Sequence, residues 1–546
     1  MPAGDGESQV TVTEAKAAPP TPAQAGPPQI KTNPYIGTLG VFLGAGIATL
    51  NARLISIGLA DIRGAHGFGF DEASWIPTVL DMAMMFSGVF CVFLNSRLGP
   101  RRILMPCAAF FTIASFLLPF APNIWVMFGL LVLAGLTSGT FYSLTLTFAL
   151  IALPRRLVIF GIAAYAADIV FDSNMASALQ GWYAEHLSWH WIFWTAAIVT
   201  PLMMICVYFG VPRRAAPSDP GPSWRGFAYF SLGLALLTGA LDQGERLDWL
   251  HSSLIVGMGT AGLFLLAAAW ARRVLRPNTT VNLEFLNTRN TIILASSIFV
   301  FRFTLLAGYV LIPGFLGNIQ HYRAIQTGQA LAWVAAPQLV VVWLVALIII
   351  YTNSRLILAV GLTVTAVACW TCAHVDSSWA GNSFEPIELA LAVGFACSYI
   401  GMVSSIVLEA LAGGALSKAS NIATFSGVMH FTRIFGGSVG VAIMTRLVTV
   451  RERFHSNLLG LHVQASSWLT DERVRMVTGG LFPASTGSPE AQHRAIDILS
   501  QQVRGQAYTL AISDGFIAIG WISAVFLLVL LTMRPIKLSY KDLRNM

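Results

Sequence analysis

The sequence contains 546 residues, of which 55% are hydrophobic and only 11% are charged. Soluble domains carry about 25% charged residues, so a chain of this composition cannot solvate itself in water as a globule. We therefore predict a polytopic helical membrane protein, since each helical span of a bilayer needs roughly 20 apolar residues. The net charge of +7 is attributed below to membrane topology, and nucleic-acid binding is not expected.

The chain begins with a segment rich in Pro, Ala and Gly that lacks the apolar stretch of a secretion signal. Residues 1–33 are predicted to form a disordered cytosolic tail. Fourteen apolar runs follow, at 35–57, 74–95, 102–121, 124–150, 157–183, 190–211, 224–243, 251–271, 291–317, 327–352, 355–375, 386–414, 419–446 and 508–533. An even number of spans places both termini on one side of the membrane.

Lys and Arg indicate the orientation, because they are enriched in short cytosolic loops. With the N-terminus inside, twenty of them fall in inner segments and three, Arg63, Arg246 and Arg323, in short outer loops. Both termini are therefore predicted to be cytosolic, with a C-terminal tail at 534–546. Residues 448–507 are predicted to form a long outer loop that contains two short amphipathic helices.

The motifs of several functional classes are missing from the sequence. None of its lysines completes a phosphate-binding G-x-x-x-x-G-K-[ST] pattern, which excludes an ATP-driven pump on this chain alone. No clustered His/Glu or Ser/His set indicates a membrane enzyme, and the six cysteines lie in apolar runs, where packing explains them. No cofactor is expected. A secondary transporter or a channel remains.

Several segments carry a resemblance to a known family. These are "SWHWIFW" at 188–194, "ALDQGERLDWLHSSLI" at 240–255, "NLEFLNTRN" at 282–290, "FTRIFGGSVGVAIMT" at 431–445 and "RLGPRRIL" at 97–104. Together with the number of spans, they resemble the fourteen-span drug:proton antiporters of the major facilitator superfamily, the EmrB/QacA type. The resemblance extends over nearly the whole chain after the tail.

The resemblance implies an all-α fold of two six-helix bundles plus two additional helices. The bundles would occupy 34–211 and 291–533, with spans seven and eight and a cytosolic linker at 212–290. By analogy, spans 1, 4, 9 and 12 line a midplane cavity, while spans 2, 5, 10 and 13 form the seams on which the bundles rock.

The same resemblance implies a proton-coupled exporter of small amphipathic compounds, either drugs or organic anions, in a bacterial inner membrane. The proton gradient would supply the energy. The Gly-Pro/Gly-Gly signature of span five reads here as Ala176, Ser177, Gln180 and Gly181, which leaves a proton-coupled importer of an organic anion as an alternative. A receptor or channel that retains a transporter fold is a second alternative. A periplasmic adaptor is a further possible partner, at the outer loop 448–507.

Two arginines lie within predicted cavity-lining spans, Arg53 in span 1 and Arg302 near the middle of span 9. A charge at the centre of a span costs about 2.5–3.5 kcal/mol, so such a residue faces a partner, a cavity or water. Either these arginines bind an anionic substrate, or each holds a carboxylate of its own bundle. Asn51 and Tyr309 are further candidates for substrate contact.

Carboxylates must carry any proton coupling, because arginine stays charged throughout a cycle. Asp168 and Asp172 lie one helical turn apart in span five, and poor hydration favours the protonated form of such acids. Asp81 of span two and Glu409 near the cytosolic end of span twelve are the other candidates. For each of them, a structural hydrogen bond or simple solvation is the alternative.

A third set is expected at the seam between spans two and thirteen. Asp81 is predicted to face His430 and Arg433 at similar depth. We interpret the three as an interbundle gate whose ion pair forms in one state and breaks in the other. Packing alone also explains His430.

Overall fold

The structure is a computed structural model that describes residues 33–154, 157–212, 224–275, 288–413, 419–464, 467–481, 488–536, 538 and 540–541. The N-terminal tail expected from the sequence, up to residue 32, lies outside the described residues, as does most of the C-terminal tail.

The described residues form eighteen α-helices. Their bounds are α1 (Pro34–Ile57), α2 (Leu59–His66), α3 (Phe70–Ala73), α4 (Trp75–Leu98), α5 (Pro100–Leu117), α6 (Ile124–Ala152), α7 (Val158–His186), α8 (Trp191–Gly210), α9 (Trp224–Gly244), α10 (Ser253–Leu275), α11 (Arg289–Leu306), α12 (Ile312–Asn318), α13 (Ala324–Tyr351), α14 (Ser354–Cys372), α15 (Gly381–Ala412), α16 (Ala419–Gly460), α17 (Trp468–Leu481) and α18 (Ser488–Leu531). A π-helical turn, Ala307–Leu311, joins α11 to α12.

Polar caps set where several spans begin. The Asn33 side chain accepts a hydrogen bond from the Tyr35 amide ahead of α1, and Asn123 accepts one from Val126 ahead of α6. Each cap satisfies an amide that has no partner within its helix. Between α4 and α5 the chain turns at Gly99, whose φ of 78° favours glycine, and Pro100 then begins the next helix.

Thirteen helical segments within the described residues are long and apolar enough to cross a membrane. The sequence predicted fourteen spans, and the difference is α9. This helix of 21 residues packs against α10 and α4. Arg225 near its start and Asp242 and Gln243 near its end lower its hydropathy. A helix therefore exists at the seventh position, but its composition alone does not mark it as a span.

The segment 448–507, predicted as a loop, is largely helical. α16 continues to Gly460 and α18 begins at Ser488, so these helices contain 42 and 44 residues. At 1.5 Å per residue they are about 63 and 66 Å long, roughly twice the hydrocarbon thickness of a bilayer. Of the two short helices predicted here, the first is present as α17, and the second is the beginning of α18.

The helices pack as two groups. α1, α4, α5, α6 and α8 surround one apolar core, and α11 and α13–α16 with α18 surround another, to which the first half of α7 also contributes. The groups meet along two seams, α7 against α13 and α4 against α16. These are the helices that the resemblance assigned to the seams.

We call the end of the protein at which α1 begins and α18 ends the terminal face, and the end at which α17 lies the α17 face. Near the α17 face, the backbone of Ile325 lies directly against Gly181, leaving no room for a side chain at the glycine. Near the terminal face, the rings of Phe160 and Trp343 stack with centroids 6.4 Å apart. The α7/α13 seam is thus closed at both ends.

Candidate transport site

A small cavity lies between the two groups of helices at mid-depth. It measures about 10 Å³, enough for about one water molecule. α7, α11, α15 and α16 supply its walls, and the lining residues are Tyr165, Ile298, Phe301, Arg302, Tyr399, Met402, Met429 and Arg433. The central cavity expected from the resemblance is therefore present, but it is nearly collapsed in this state.

Arg433 reaches from α16 across the seam to the N-terminal group. Its Nη2 atom donates a hydrogen bond to the Thr49 hydroxyl of α1 at 3.1 Å. Its guanidinium carbon lies 3.3 Å from the centroid of the Tyr142 ring in α6, a cation–π contact. Its Nε and Nη1 atoms are buried and find no hydrogen-bond partner among the described residues. Arg433 is thus held in place while part of its donor capacity stays unused.

A row of aromatic rings crosses the centre from one group of helices to the other. Ring centroids are 4.8 Å apart between Tyr142 and Tyr165, and 5.9 Å apart between Tyr165 and Tyr399. Phe301 of α11 follows at 5.0 Å from Tyr399. Three of these four rings line the cavity. They provide apolar faces beside the guanidinium groups.

Arg302 enters the same cavity from α11, roughly 20 Å from the start of that helix at 1.5 Å per residue. Gly437 of α16 makes room for it, because a Cβ atom there would lie 2.5 Å from Nη2 of Arg302. The buried Nε of Arg302 has no hydrogen-bond partner within the described part of the chain. The carboxylates of the described residues are all beyond 4.0 Å from both Arg302 and Arg433, so neither arginine forms an ion pair with them.

Asp168 and Asp172 lie one helical turn apart on α7, and their carboxyl groups point to the same place against α1. Two carboxylates this close repel each other, which favours a proton on one of them. Both groups face Gly46 of α1, where a Cβ atom would lie 2.6 Å from Asp168 and 3.0 Å from Asp172. The positive charge of Arg433 acts on both of them. The pair therefore lies beside the arginine that bridges the seam.

Arg53 and Tyr309 form a second layer, nearer the α17 face. The guanidinium carbon of Arg53 lies 4.3 Å from the centroid of the Tyr309 ring. Neither residue lines the central cavity. The charges of Arg53 and Arg302 act on each other, so the predicted binding site between these two arginines stays a prediction, while Arg433 is the arginine that lines the small cavity with Arg302. Asn51 is buried in α1, and its Oδ1 finds no partner among the residues described.

Asp81 does not form the predicted gate with His430 and Arg433 in this state. The charges of Arg53 and Arg433 act on the Asp81 carboxylate, but both guanidinium groups lie beyond ion-pair distance of it. The physical reason is local packing, because Thr49 and Tyr142 hold the Arg433 guanidinium. His430 is 1% exposed and occupies the space that a side chain at Gly88 would need.

Glu409 is the predicted coupling residue that lies farthest from the centre. It is the fourth residue from the end of α15, at the terminal face, and is partly exposed. The structure therefore leaves it outside the group formed by Asp168, Asp172 and Arg433.

Sequence reasoning missed two acids. Asp242 of α9 accepts a hydrogen bond from the Thr78 hydroxyl of α4, and its charge acts on Asp81. Glu388 of α15 is fully buried, and neither of its carboxylate oxygens has a hydrogen-bond partner in the described ranges. A charged residue inside an apolar run is the signal that would have found Glu388. The aromatic row carries no such signal, because tyrosines are common in spans.

Two bundles that enclose charged side chains at mid-depth define a class, the membrane transport proteins that work through a central site. The family model described as Major Facilitator Superfamily matches residues 41–441. The chain therefore belongs to the major facilitator superfamily.

Curated relatives match over most of their length. The chain is 22% identical over 504 residues to the multidrug export protein EmrB of Haemophilus influenzae, covering 90% of this chain and 94% of that protein. It is also 22% identical to the fatty acid resistance protein FarB of Neisseria gonorrhoeae, covering 88% and 92%.

Solved structures agree in fold. A double Trp mutant of XylE superposes with a TM-score of 0.54 at 12% identity, covering 94% of this chain and 99% of that one. The human organic anion transporter MFSD10 gives a TM-score of 0.52 at 12% identity, covering 90% and 99%. At this identity these structures are evidence for the fold alone.

Proposed function

We propose that the protein exports small amphipathic compounds in exchange for protons by alternating access. The observation that carries the proposal is the Asp168–Asp172 pair, which faces Gly46 of α1, the helix whose Thr49 binds Arg433 from the other helix group. Repulsion between the two carboxylates favours one proton on the pair at rest, and the remaining carboxylate can accept a second. The names of the relatives, which include multidrug export proteins, support the same direction of transport.

The proposed coupling follows from charge. With one proton, the aspartate pair carries one negative charge that faces Arg433 across the seam. A second proton removes that charge and so removes an attraction between α7 and α16. Because Arg433 also lines the cavity, protonation and substrate binding act on the same side chain.

The seams supply the motion. α7/α13 and α4/α16 are the two lines of contact between the helix groups, and the cavity lies between them. In this state the α7/α13 seam is closed near both faces and the cavity has room for only about one water. We propose that this is an occluded state, and that rocking on the seams opens the cavity to one face at a time.

We place the protein in a bacterial inner membrane with both termini cytosolic, on the distribution of Lys and Arg along the chain. The terminal face is then the cytosolic face. The extended parts of α16 and α18, with α17, would stand on the periplasmic side, where a partner adaptor would make contact. The proton gradient is the proposed energy source, with no cofactor.

The test is proton movement in proteoliposomes that contain a pH-sensitive dye. Ethidium and naphthalene-2-sulfonate, a permanent cation and a permanent anion, are added outside as probes. Entry by antiport alkalinises the lumen, symport acidifies it, and a receptor leaves the pH unchanged. The first outcome supports the proposal, and either of the others overturns it.

Variants locate the coupling. Asp168→Asn and Asp172→Asn are expected to abolish the change in lumen pH while the protein still binds the transported probe. Asp497→Asn is the matched control, because that acid is exposed on the extended part of α18. Normal proton movement in both α7 variants would remove the pair from the mechanism.

A further inference from the structure

Two guanidinium groups share the central cavity, and the structure gives them no anion. Arg302 comes from α11 and Arg433 from α16, and both line the cavity. Three of their N–H-bearing atoms, Nε of Arg302 with Nε and Nη1 of Arg433, are buried without a hydrogen-bond partner among the described residues. Buried donors are normally hydrogen bonded, and a buried donor that has no acceptor destabilises the fold. Unused donors that converge on one cavity indicate a missing acceptor.

The rest of the lining defines the body of the ligand. Tyr165, Phe301 and Tyr399 present ring faces, and Met402 and Met429 supply flexible thioethers. Aromatic rings and methionines bind apolar groups of varied shape, because methionine adapts its conformation. The wall is thus cationic at two points and apolar elsewhere.

The contacts that position the two arginines leave their charges available to bind an anion. Gly437 gives Arg302 the space it occupies, and the ring of Tyr142 with the hydroxyl of Thr49 holds one edge of Arg433. These contacts neutralise neither charge. The acids whose charges act on Arg433, Asp81, Asp168 and Asp172, all lie beyond ion-pair distance of it.

We propose that Arg302 and Arg433 together bind the anionic group of an amphipathic organic anion, a carboxylate or a sulfonate attached to an aromatic or apolar body. Guanidinium groups match such oxyanions because they donate two parallel hydrogen bonds. The site differs from the one expected from the sequence, in which Arg53 was the partner of Arg302. The inference names the substrate class of the proposed transporter. Binding of the anion does not depend on transport, whereas its movement across the membrane rests on the proposed function.

The present cavity is too small for such a ligand, so binding opens a seam. The anionic group accepts the unused hydrogen bonds of both arginines. Because these come from α11 and α16 of the C-terminal group, the anionic group is held by that group. The apolar body then contacts Tyr165 of α7, in the half of that helix near the aspartate pair.

The test is equilibrium binding to the full chain in lipid nanodiscs, measured by calorimetry. The probes share one body and differ in charge: naphthalene-2-sulfonate, neutral naphthalene-2-sulfonamide, and the cation 2-naphthylmethyl-trimethylammonium. We expect the sulfonate to bind at least about tenfold more tightly than the other two, the size of effect expected for hydrogen bonds to a charged group. Equal affinities, preference for the cation, or no sulfonate binding by the folded protein would each overturn the proposal.

Variants assign the residues. Arg302→Gln and Arg433→Gln should each weaken the sulfonate about tenfold or more and the neutral sulfonamide much less, and the remaining sulfonamide binding reports that the protein is folded. Arg53→Gln is the matched comparison, since Arg53 is an intramembrane arginine outside the cavity. If Arg53→Gln alone removes the preference for the anion, the anion site lies in the layer of Arg53 and Tyr309, and the proposal fails.

Failure of this inference is distinguishable from failure of the proposed function. If ethidium moves protons and the sulfonate does not bind, the exporter stands and the anion site falls. If the sulfonate binds through both arginines but no probe moves protons, the site stands and the coupling falls.

Discussion

Arg446 of α16 lies 3.4 Å from Glu245 in the loop between α9 and α10, measured from Nη1 to Oε1. The next residue, Arg246, forms an ion pair with Asp71 of α3 at 2.6 Å. Two adjacent residues of the α9–α10 loop are thus bound to the two different helix groups at the α17 face. The additional pair of helices bridges the α4/α16 seam where that seam would have to open.

Breaking this bridge is expected to favour opening at the α17 face. We expect Glu245→Gln to shift the population toward longer distances between spin labels at Gly64→Cys and Gly317→Cys, two glycines with open space around them. An ion pair at this exposure contributes about 0.2–1 kcal/mol, so the shift is at most about fivefold. Pulsed electron paramagnetic resonance, with the native cysteines replaced, measures it. Arg494→Gln, which breaks an ion pair within α18 alone, is the control and should change nothing.

The same bridge is expected to survive mild acid. Burial raises the pKa of the Glu245 carboxyl, but the hydrogen bond from Trp249 and the nearby charge of Arg446 outweigh it, and the net pKa lies below the usual value. A carboxyl group with a lowered pKa stabilises the folded contact above its unfolded pKa, and the effect is lost as the pH falls through the folded pKa. The distance difference between wild type and Glu245→Gln should therefore persist from about pH 8 to 5 and disappear below about pH 4. Its loss near neutral pH would contradict this assignment.

We expect His430 to be a packing residue whose ring fits only because position 88 is a glycine. Its ring occupies the position of a Cβ atom at Gly88, so Gly88→Ala must displace it or separate α4 from α16. Overpacking of this kind costs about 1–3 kcal/mol. We expect a lower Tm for Gly88→Ala, and recovery in the double variant with His430→Ala. If the double variant is no more stable than Gly88→Ala, the steric explanation fails.

Gly437 is expected to set the position of the Arg302 guanidinium, because it leaves the space that this group occupies. Gly437→Ala places a methyl group against the guanidinium, whereas Gly440→Ala, three residues later on α16, meets Leu306 at an ordinary 3.5 Å. We expect Gly437→Ala to weaken naphthalene-2-sulfonate about tenfold or more while sulfonamide binding and Tm stay near those of Gly440→Ala. Equal effects of the two substitutions would mean that the loss comes from helix packing.

Arg433 and Asp81 are not expected to behave as an ion pair. Because the Arg433 guanidinium is bound to Thr49 and Tyr142, the charge-swapped double variant Asp81→Arg with Arg433→Asp should not recover the transport lost in the single variants. Thr49→Val, which removes the hydrogen-bonded hydroxyl, should reduce transport more mildly. Rescue by the swap would restore the gate predicted from the sequence, as a contact of another state in the cycle.

Some of the site was predictable from one sequence. Asp168, Asp172, Arg302 and Arg433 stand out because charge is costly in a span, so each requires a partner or a cavity. The spacing of Asp168 and Asp172 also predicts that they share a face of one helix. Which arginine joins Arg302 was not predictable, because the rotation of one span relative to another leaves no local pattern.

The sequence by itself determined that the chain lies in lipid, where most of its spans lie, and which side chains cannot face acyl chains. Local free energies decide these features: apolar transfer, helix capping and the cost of burying charge. Only the tertiary structure decided that Arg433 joins Arg302 in the cavity, that tyrosines link the two groups of helices, and that Glu245 and Arg246 bridge a seam. Such contacts join residues far apart in the chain, and the packing of whole helices selects them.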